Sequence, residues 1–341
     1  MAKTGFAVVG AGLWGSQHAR VFSTLPEAAL VAVCDVDAGR AEAMKTRFGA
    51  RRAYTDLGEL LADPAVEAVT VATPDFAHSD IILRALAAGK HVMSEKPLAT
   101  DLAATQRVAE AVKSSGRKFM LDFHNRVNPG VAALHDAVTS GELGRPIHGF
   151  IRLSNTTFVP REMLSWASRS SALWFLGSHV VDALRFVTGD EVERVQAVRR
   201  DGHLRSLGVD TADVHLAILQ MRSGAVISME NSWVLPPDSP MLYDFRMELV
   251  GEKGAVQVNT ADNGAFRKFT GGGLRSADLF GAVPAGPGRI GGFVYEAIAR
   301  FVDAVVADGP LLATAEDGLA ATEILTAIEE AARTGATVSI R

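Results

Sequence analysis

Across residues 5–122, short apolar runs rich in β-branched side chains alternate with alanine-rich stretches of helical composition. FAVVG, LVAVCD, AVTVAT, HVMSEKP and KFMLDF each read as a strand that is apolar on both faces. The stretches between them, at 14–25, 38–48, 57–61, 79–88 and 102–114, read as helices. Strands buried on both sides and separated by helices predict a parallel sheet covered on both faces. After about residue 125 the rhythm changes. Helices at 131–140 and 176–187 are followed or interleaved by the alternating runs IHGFIRLSN, VERVQAVRR, ADVHLAILQM, AVISMENSWV, FRMELVG and AVQVN. The last two are joined by Glu252, Lys253 and Gly254, a hairpin signature, so this second sheet is expected to be largely antiparallel. Helices at 295–306 and 315–333 close the chain, and the Gly- and Pro-rich segment 270–292 reads as a long surface loop. The expected organisation is an α/β domain at 1–122 followed by an α+β domain at 123–341.

Length and composition fit that division. At roughly 150 residues per domain, 341 residues make two, and 48% hydrophobic with 21% charged residues describes a globular chain. The 34 basic and 39 acidic side chains leave a net charge of -5, with no positive excess to neutralise a phosphate backbone, so nucleic acid is not the expected partner. Cys34, the single cysteine, can form neither an internal disulfide nor a cysteine zinc cluster and suits a reducing compartment, which predicts a cytoplasmic protein. The opening MAKTGFAVVGAG reads as neither a secretory signal nor an anchor. No apolar run approaches the roughly 18 residues that cross a bilayer, so no membrane partner is expected.

Gly10, Gly12 and Gly15 form GAGLWG directly after one predicted strand and before a helix. A lone pattern of this kind is often just a turn. In this context the three glycines serve a tight turn, room for a pyrophosphate near the backbone, and close packing of helix on strand. Leu13 and Trp14 inside the motif are further candidate cofactor contacts. Asp35, at the end of the second strand, can accept hydrogen bonds from both ribose hydroxyls and repels a 2′-phosphate, which favours NAD over NADP. Arg40, close by, argues the other way and joins the candidate cofactor contacts.

The segments TPDFAHSD (73–80) and AAGKHVMSEKPLA (87–99), together with GAGLWG, resemble the glucose-fructose oxidoreductase, inositol dehydrogenase and rhizopine-catabolism (Gfo/Idh/MocA) family. The likeness continues through GELGRP (141–146), LGSHVVDALRFVTG (176–189) and EDGLAATEI (316–324), covering effectively the whole chain. The resemblance implies an N-terminal Rossmann domain and a C-terminal domain with an open antiparallel sheet, an active site in the cleft between them, and NAD(P)-dependent redox chemistry at a carbinol carbon of a sugar or cyclitol. It also implies a homodimer or homotetramer formed through the C-terminal sheet. By the same resemblance Lys96 holds the substrate hydroxyl and tunes its acidity, and His179 exchanges a proton with it. Both roles make chemical sense. A cation at the C-terminal edge of a parallel sheet stabilises a developing alkoxide, and imidazole titrates near neutral pH. Thr73, Pro74, His78 and Glu95 join the candidate cofactor contacts, with His78 also read as a supporting residue at the start of a helix. His124, Arg126, Trp174 and Asp182 are the candidate substrate contacts, Trp174 because an aromatic face suits a sugar ring.

One departure stands out. The commoner family pattern has an aspartate four positions before this histidine, where this chain has Phe175. Three explanations stand side by side: Asp182, Asp122 or His124 fills the equivalent space; Lys96 and His179 suffice; or catalysis is lost. Two other functional readings accompany the dehydrogenase, namely an NAD-dependent glycosidase that retains its cofactor and a non-catalytic regulator that senses NAD or sugar. The remaining histidines, His18, His91, His135, His148, His203 and His215, show no metal-ligand spacing, and no metal is expected.

Overall fold

The computed structural model describes residues 3–261, 267–270, 273–276, 278, 280–286 and 289–340. The chain forms two compact units, one of residues 1–124 and 281–319, the other of residues 125–280 and 320–341. The first boundary lies two residues beyond the one expected from strand rhythm. In addition, 281–319 returns to the first unit, a re-entry that the rhythm does not reveal.

The first unit alternates strand and helix: β1 (Thr4–Val9), α1 (Leu13–Thr24), β2 (Ala28–Cys34), α2 (Ala38–Phe48), β3 (Arg52–Tyr54), α3 (Leu57–Ala62), β4 (Ala68–Val71), α4 (His78–Ala87), β5 (His91–Ser94), α5 (Leu102–Ser115) and β6 (Phe119–Leu121). The six strands are parallel in the order β3-β2-β1-β4-β5-β6. That is the doubly wound dinucleotide-binding order, in which ligands sit at the carboxyl ends of the strands. Side-chain caps set helix starts: Asp37 accepts from the Arg40 amide and Asp101 from the Ala104 amide. The three-residue β3 is too short for its periodicity to announce it. On one side of the sheet Phe6 stacks on Phe22 at 4.7 Å and meets Phe301 edge-on at 6.0 Å. Phe301 belongs to the returning helix, whose Val294, Ile298 and Val302 complete the same core. This apolar stripe is why the segment counts with the first unit.

The second unit contains α6 (Pro129–Thr139), β7 (Pro146–Asn155), α7 (Ser178–Thr188), β8 (Val192–Arg200), α8 (His203–Ser206), β9 (Val214–Met221), β10 (Val226–Ser232), β11 (Tyr243–Gly251), β12 (Ala255–Asn259) and the hairpin of β13 (Arg267–Thr270) with β14 (Gly273–Ser276). The short pair β15 (Val283–Pro284) and β16 (Ile290–Gly291) and then α9 (Phe293–Ala307) belong to the first unit, α10 (Ala315–Thr334) crosses the division, and β17 (Val338–Ser339) ends the second. Seven strands run in the order β12-β11-β7-β10-β9-β8-β17, antiparallel except for β10 beside β7. The inner face carries Ile151, Leu219, Ile227, Met229, Phe245 and Leu249. The other face leaves Val198, Leu216, Ile218 and Val226 exposed. Part of the loop expected at 270–292 is therefore paired strand, while residues 271, 272, 277, 279, 287 and 288 lie outside the described residues. Among the described residues no helix is long and apolar enough to cross a membrane.

His215, on β9, is buried, and burial pushes its pKa down to about 4, with Arg199 adding to the effect. The unfolded chain thus binds a proton that the folded chain refuses. Stability from this group is complete above the ordinary histidine value of about 6.5 and is lost as pH falls towards 4. Urea unfolding should show a loss on the order of 3 kcal/mol across that window. His215→Asn should flatten the profile there, and an equal acid loss in the variant would refute the assignment.

Candidate active site

In the first unit the motif residues gather at the carboxyl edge of the sheet. Gly10 follows β1 with φ +105° and donates its amide to Cys34 O at 2.8 Å. A Cβ added at Gly10 would stand 2.4 Å from Ala72 O, and one at Gly15 would stand 1.8 Å from Gly10 O. Only glycine lets strand, loop and helix approach so closely. At Gly12 an added Cβ would meet nothing within 4 Å. Gly12 is also the N-cap of α1, with no side-chain cap and no acidic residue in the first turn. Open space in front of uncapped amides fits the pyrophosphate of a dinucleotide. Leu13 is exposed at this turn, and Trp14 stacks on His124 with ring centroids 5.4 Å apart.

Asp35 is held in place at the end of β2. Its Oδ2 accepts from the Ala11 amide at 2.7 Å and its Oδ1 from the Asp37 amide at 2.9 Å, while Arg40 Nη2 lies 3.0 Å from Oδ1. The arginine that argued for a 2′-phosphate is therefore engaged with the carboxylate that argues against one. Thr73 and Pro74 follow β4. His78 is buried, with Nδ1 at 2.7 Å from Pro97 O and Nε2 at 3.0 Å from Thr73 O, so its ring braces the loops after β4 and β5.

Lys96, next to the end of β5, is buried. Burial pulls its pKa below the ordinary ammonium value, while Glu95, Asp75 and Asp122 pull it back up. Glu95 Oε1 lies 3.1 Å from His18 Nε2. Burial disfavours its charge, yet the His18 hydrogen bond and the charges of His18 and Lys96 hold its pKa well below the usual carboxylate range. Asp122, at the end of β6, is fully buried; burial and the neighbouring Glu95 raise its pKa, while His124 and His18 pull it back down. The nearest His124 nitrogen, Nδ1, is 3.6 Å from Asp122 Oδ2, and the His124 ring also leans on Phe293. Polar atoms of His18, Glu95 and Asp122 lie within 4.8 Å of one another. Metal-ligand spacing does not single out His18. The signal in the sequence is its place in the buried stripe Gly15, His18, Ala19, Phe22 of α1, where a lone histidine needs a polar partner.

In the second unit His179 lies buried in the first turn of α7. Asp182, expected to face substrate, is bound from both sides of its carboxylate by Arg126, at 3.0 Å to Nε and 2.6 Å to Nη2. The Arg126 guanidinium also lies over the Phe186 ring. Trp174, expected to contact sugar, is buried and donates Nε1–H to Glu329 Oε1 at 2.9 Å, and burial raises the pKa of Glu329. Residues 173–177 wind as a π turn, which closes over five residues rather than four. Phe175 lies there with its ring edge-on to Trp166 and tilted against Trp233, each at 5.9 Å. An aromatic cluster thus takes the position of the missing aspartate, and Asp182 is committed to Arg126.

The strand order, the glycine cradle and the acid after β2 define a dinucleotide-binding fold suited to NAD. Residues 4–123 match the oxidoreductase family with an NAD-binding Rossmann fold, and residues 131–257 match the GFO/IDH/MocA C-terminal domain. The chain belongs to the Gfo/Idh/MocA family. Among curated relatives, inositol 2-dehydrogenase of Acidothermus cellulolyticus is 34% identical over 253 residues, 74% of this chain and 71% of the relative. The scyllo-inositol 2-dehydrogenase (NAD(+)) of Bacillus subtilis is 31% identical over 264 residues, 74% of this chain and 73% of the relative. Among solved structures, GenD2 from gentamicin A biosynthesis, in complex with NAD, superposes with a TM-score of 0.86 at 27% identity, covering 100% of this chain and 97% of that one.

Asp35→Asn keeps the shape of the side chain and removes its charge. A charged hydrogen bond is worth about 1.5–3 kcal/mol, so the NAD dissociation constant measured by calorimetry should rise at least about tenfold, with no comparable loss for NADP. Equal weakening of both cofactors would contradict the role.

Proposed function

We propose that this chain is a cytoplasmic NAD-dependent dehydrogenase that oxidises a secondary alcohol carbon of a cyclitol of the inositol type, or of a closely related sugar. The observation that carries the reading is Lys96, buried among carboxyl groups at the same sheet edge as the open cradle at Gly12. The relatives named for inositol oxidation support the substrate class.

Bound NAD supplies the hydride acceptor. Lys96 donates a hydrogen bond to the reacting oxygen and stabilises the negative charge that grows there as the hydroxyl proton leaves. His179 takes the hydroxyl proton in oxidation and returns it in reduction. Asp35 holds the adenosine ribose, Thr73 and Pro74 line the cofactor, and His124 and Arg126 contact the polyol. With Phe175 in its aromatic cluster, Lys96 and His179 carry the proton chemistry without a third acid. The exposed sheet face of Val198, Leu216, Ile218 and Val226, beside the ion pairs of Arg152 with Glu230 and Asp244, joins copies of the chain into a homodimer or homotetramer.

Absorbance of reduced nicotinamide should grow when NAD and a panel of inositols and monosaccharides are added. Lys96→Met should lower kcat by about 10²–10³ and His179→Gln by about 10²–10⁴. No turnover with any of the panel, together with cleavage of an aryl glycoside by protein that retains its NAD, would overturn the dehydrogenase in favour of the glycosidase. Light scattering should give two or four chain masses for the native protein and a smaller assembly for Ile218→Glu. A native monomer would refute the interface.

A further inference from the structure

Polarising the substrate oxygen requires Lys96 as an ammonium, yet burial works against that charge. Three carboxylates face it from neighbouring strand ends: Asp75 beyond β4, Glu95 beyond β5 and Asp122 beyond β6. Asp122 in turn is faced by Glu95, His124 and His18. Polar atoms of Glu95 and Asp122 lie within 4.8 Å of each other, and two carboxylates this close in a dry interior do not both ionise readily. Which carboxyl keeps a proton follows from their partners. Glu95 has His18 at 3.1 Å, whereas the His124 Nδ1 that faces Asp122 stands farther off, at 3.6 Å. Asp122 is the less stabilised anion and therefore the proton carrier.

We propose that Asp122 is a positioning residue for Lys96: with Glu95, His18 and His124 it forms a proton-sharing cluster that releases a proton to water before Lys96 does, and the resulting charge keeps Lys96 an ammonium. Only O–H and N–H bonds to exchangeable protons are involved, and no redox partner is needed. Near neutral pH the cluster limits the excess of buried negative charge. As pH rises, ionised Asp122 deepens the field around Lys96 and delays loss of its proton. The kinetic consequence rests on the dehydrogenase reading, whereas the electrostatic one does not.

Asp122→Asn removes the ionisation with little change of shape. The high-pH limb of kcat/KM should move to lower pH by about one unit. Independently of turnover, carbamylation of Lys96 by cyanate, followed by peptide mass spectrometry across pH, should show its midpoint moving down by a similar amount, since only the neutral amine reacts. Loosened packing would instead relieve the burial that lowers the Lys96 pKa and move the midpoint up. Glu95→Gln should lower the midpoint as well and covers the case in which Asp122→Asn fails to fold. A wild-type protein inactive on every cyclitol would sink the dehydrogenase reading and leave the cyanate arm to decide the cluster. Unmoved midpoints in both variants would overturn the proposal. So would a stoichiometric divalent metal held by the wild type and lost in either variant, which would make these residues a ligand set.

Discussion

A lysine buried at the edge of a parallel sheet is the constraint on which the site depends. An isolated ammonium taken out of water is strongly disfavoured, and a protein keeps one only by surrounding it with anions or by letting it lose its proton. Here the carboxyl groups that can supply that charge come from adjacent strands. β4, β5 and β6 are neighbours in the sheet, so the residues that follow them, Asp75, Lys96 with Glu95, and Asp122, come together without any long side chain having to reach. The order of strands therefore has an electrostatic consequence as well as a structural one. Shuffling the same residues onto non-adjacent strands would leave Lys96 without its counter-charges.

The same edge depends on close backbone approach. Gly15 leaves no room for a Cβ against Gly10 O, which pins the start of α1 to the end of β1. Behind it, Phe22 on α1 stacks on Phe6 of β1, and Phe301 on α9 closes the cluster. Packing of α1 by these rings fixes both the amides that face a pyrophosphate and the position of His18, four residues before Phe22. One helix thus supplies the anion-binding end and the hydrogen-bond partner of Glu95.

Local pattern made most of the fold legible, because β-branched runs buried on both faces and alternating runs buried on one face have different periods. It missed what depends on contacts between distant segments. The return of α9 to the first unit follows from the fit of Phe301 and Ile298 onto the Phe6 core, and nothing in a single apolar stripe says which sheet it covers. Among the candidate site residues, Gly10, Gly12, Gly15 and Asp35 stand out in the sequence because backbone geometry dictates their types. His18 does not, since positions 18, 95 and 122 converge only through sheet order. The engagement of Asp182 by Arg126, of Trp174 by Glu329 and of Phe175 by Trp166 and Trp233 was likewise invisible to spacing. A polar or aromatic side chain near a catalytic motif has no address until its partner is known.

The central claim is that Lys96 is charged where it is buried. Protein labelled with ¹⁵N at lysine Nζ, with the Lys96 resonance identified by its absence in Lys96→Met, reads that directly. The account predicts an ammonium signal for Lys96 at neutral pH, in slow exchange with water. A neutral-amine signal at the same pH would contradict it.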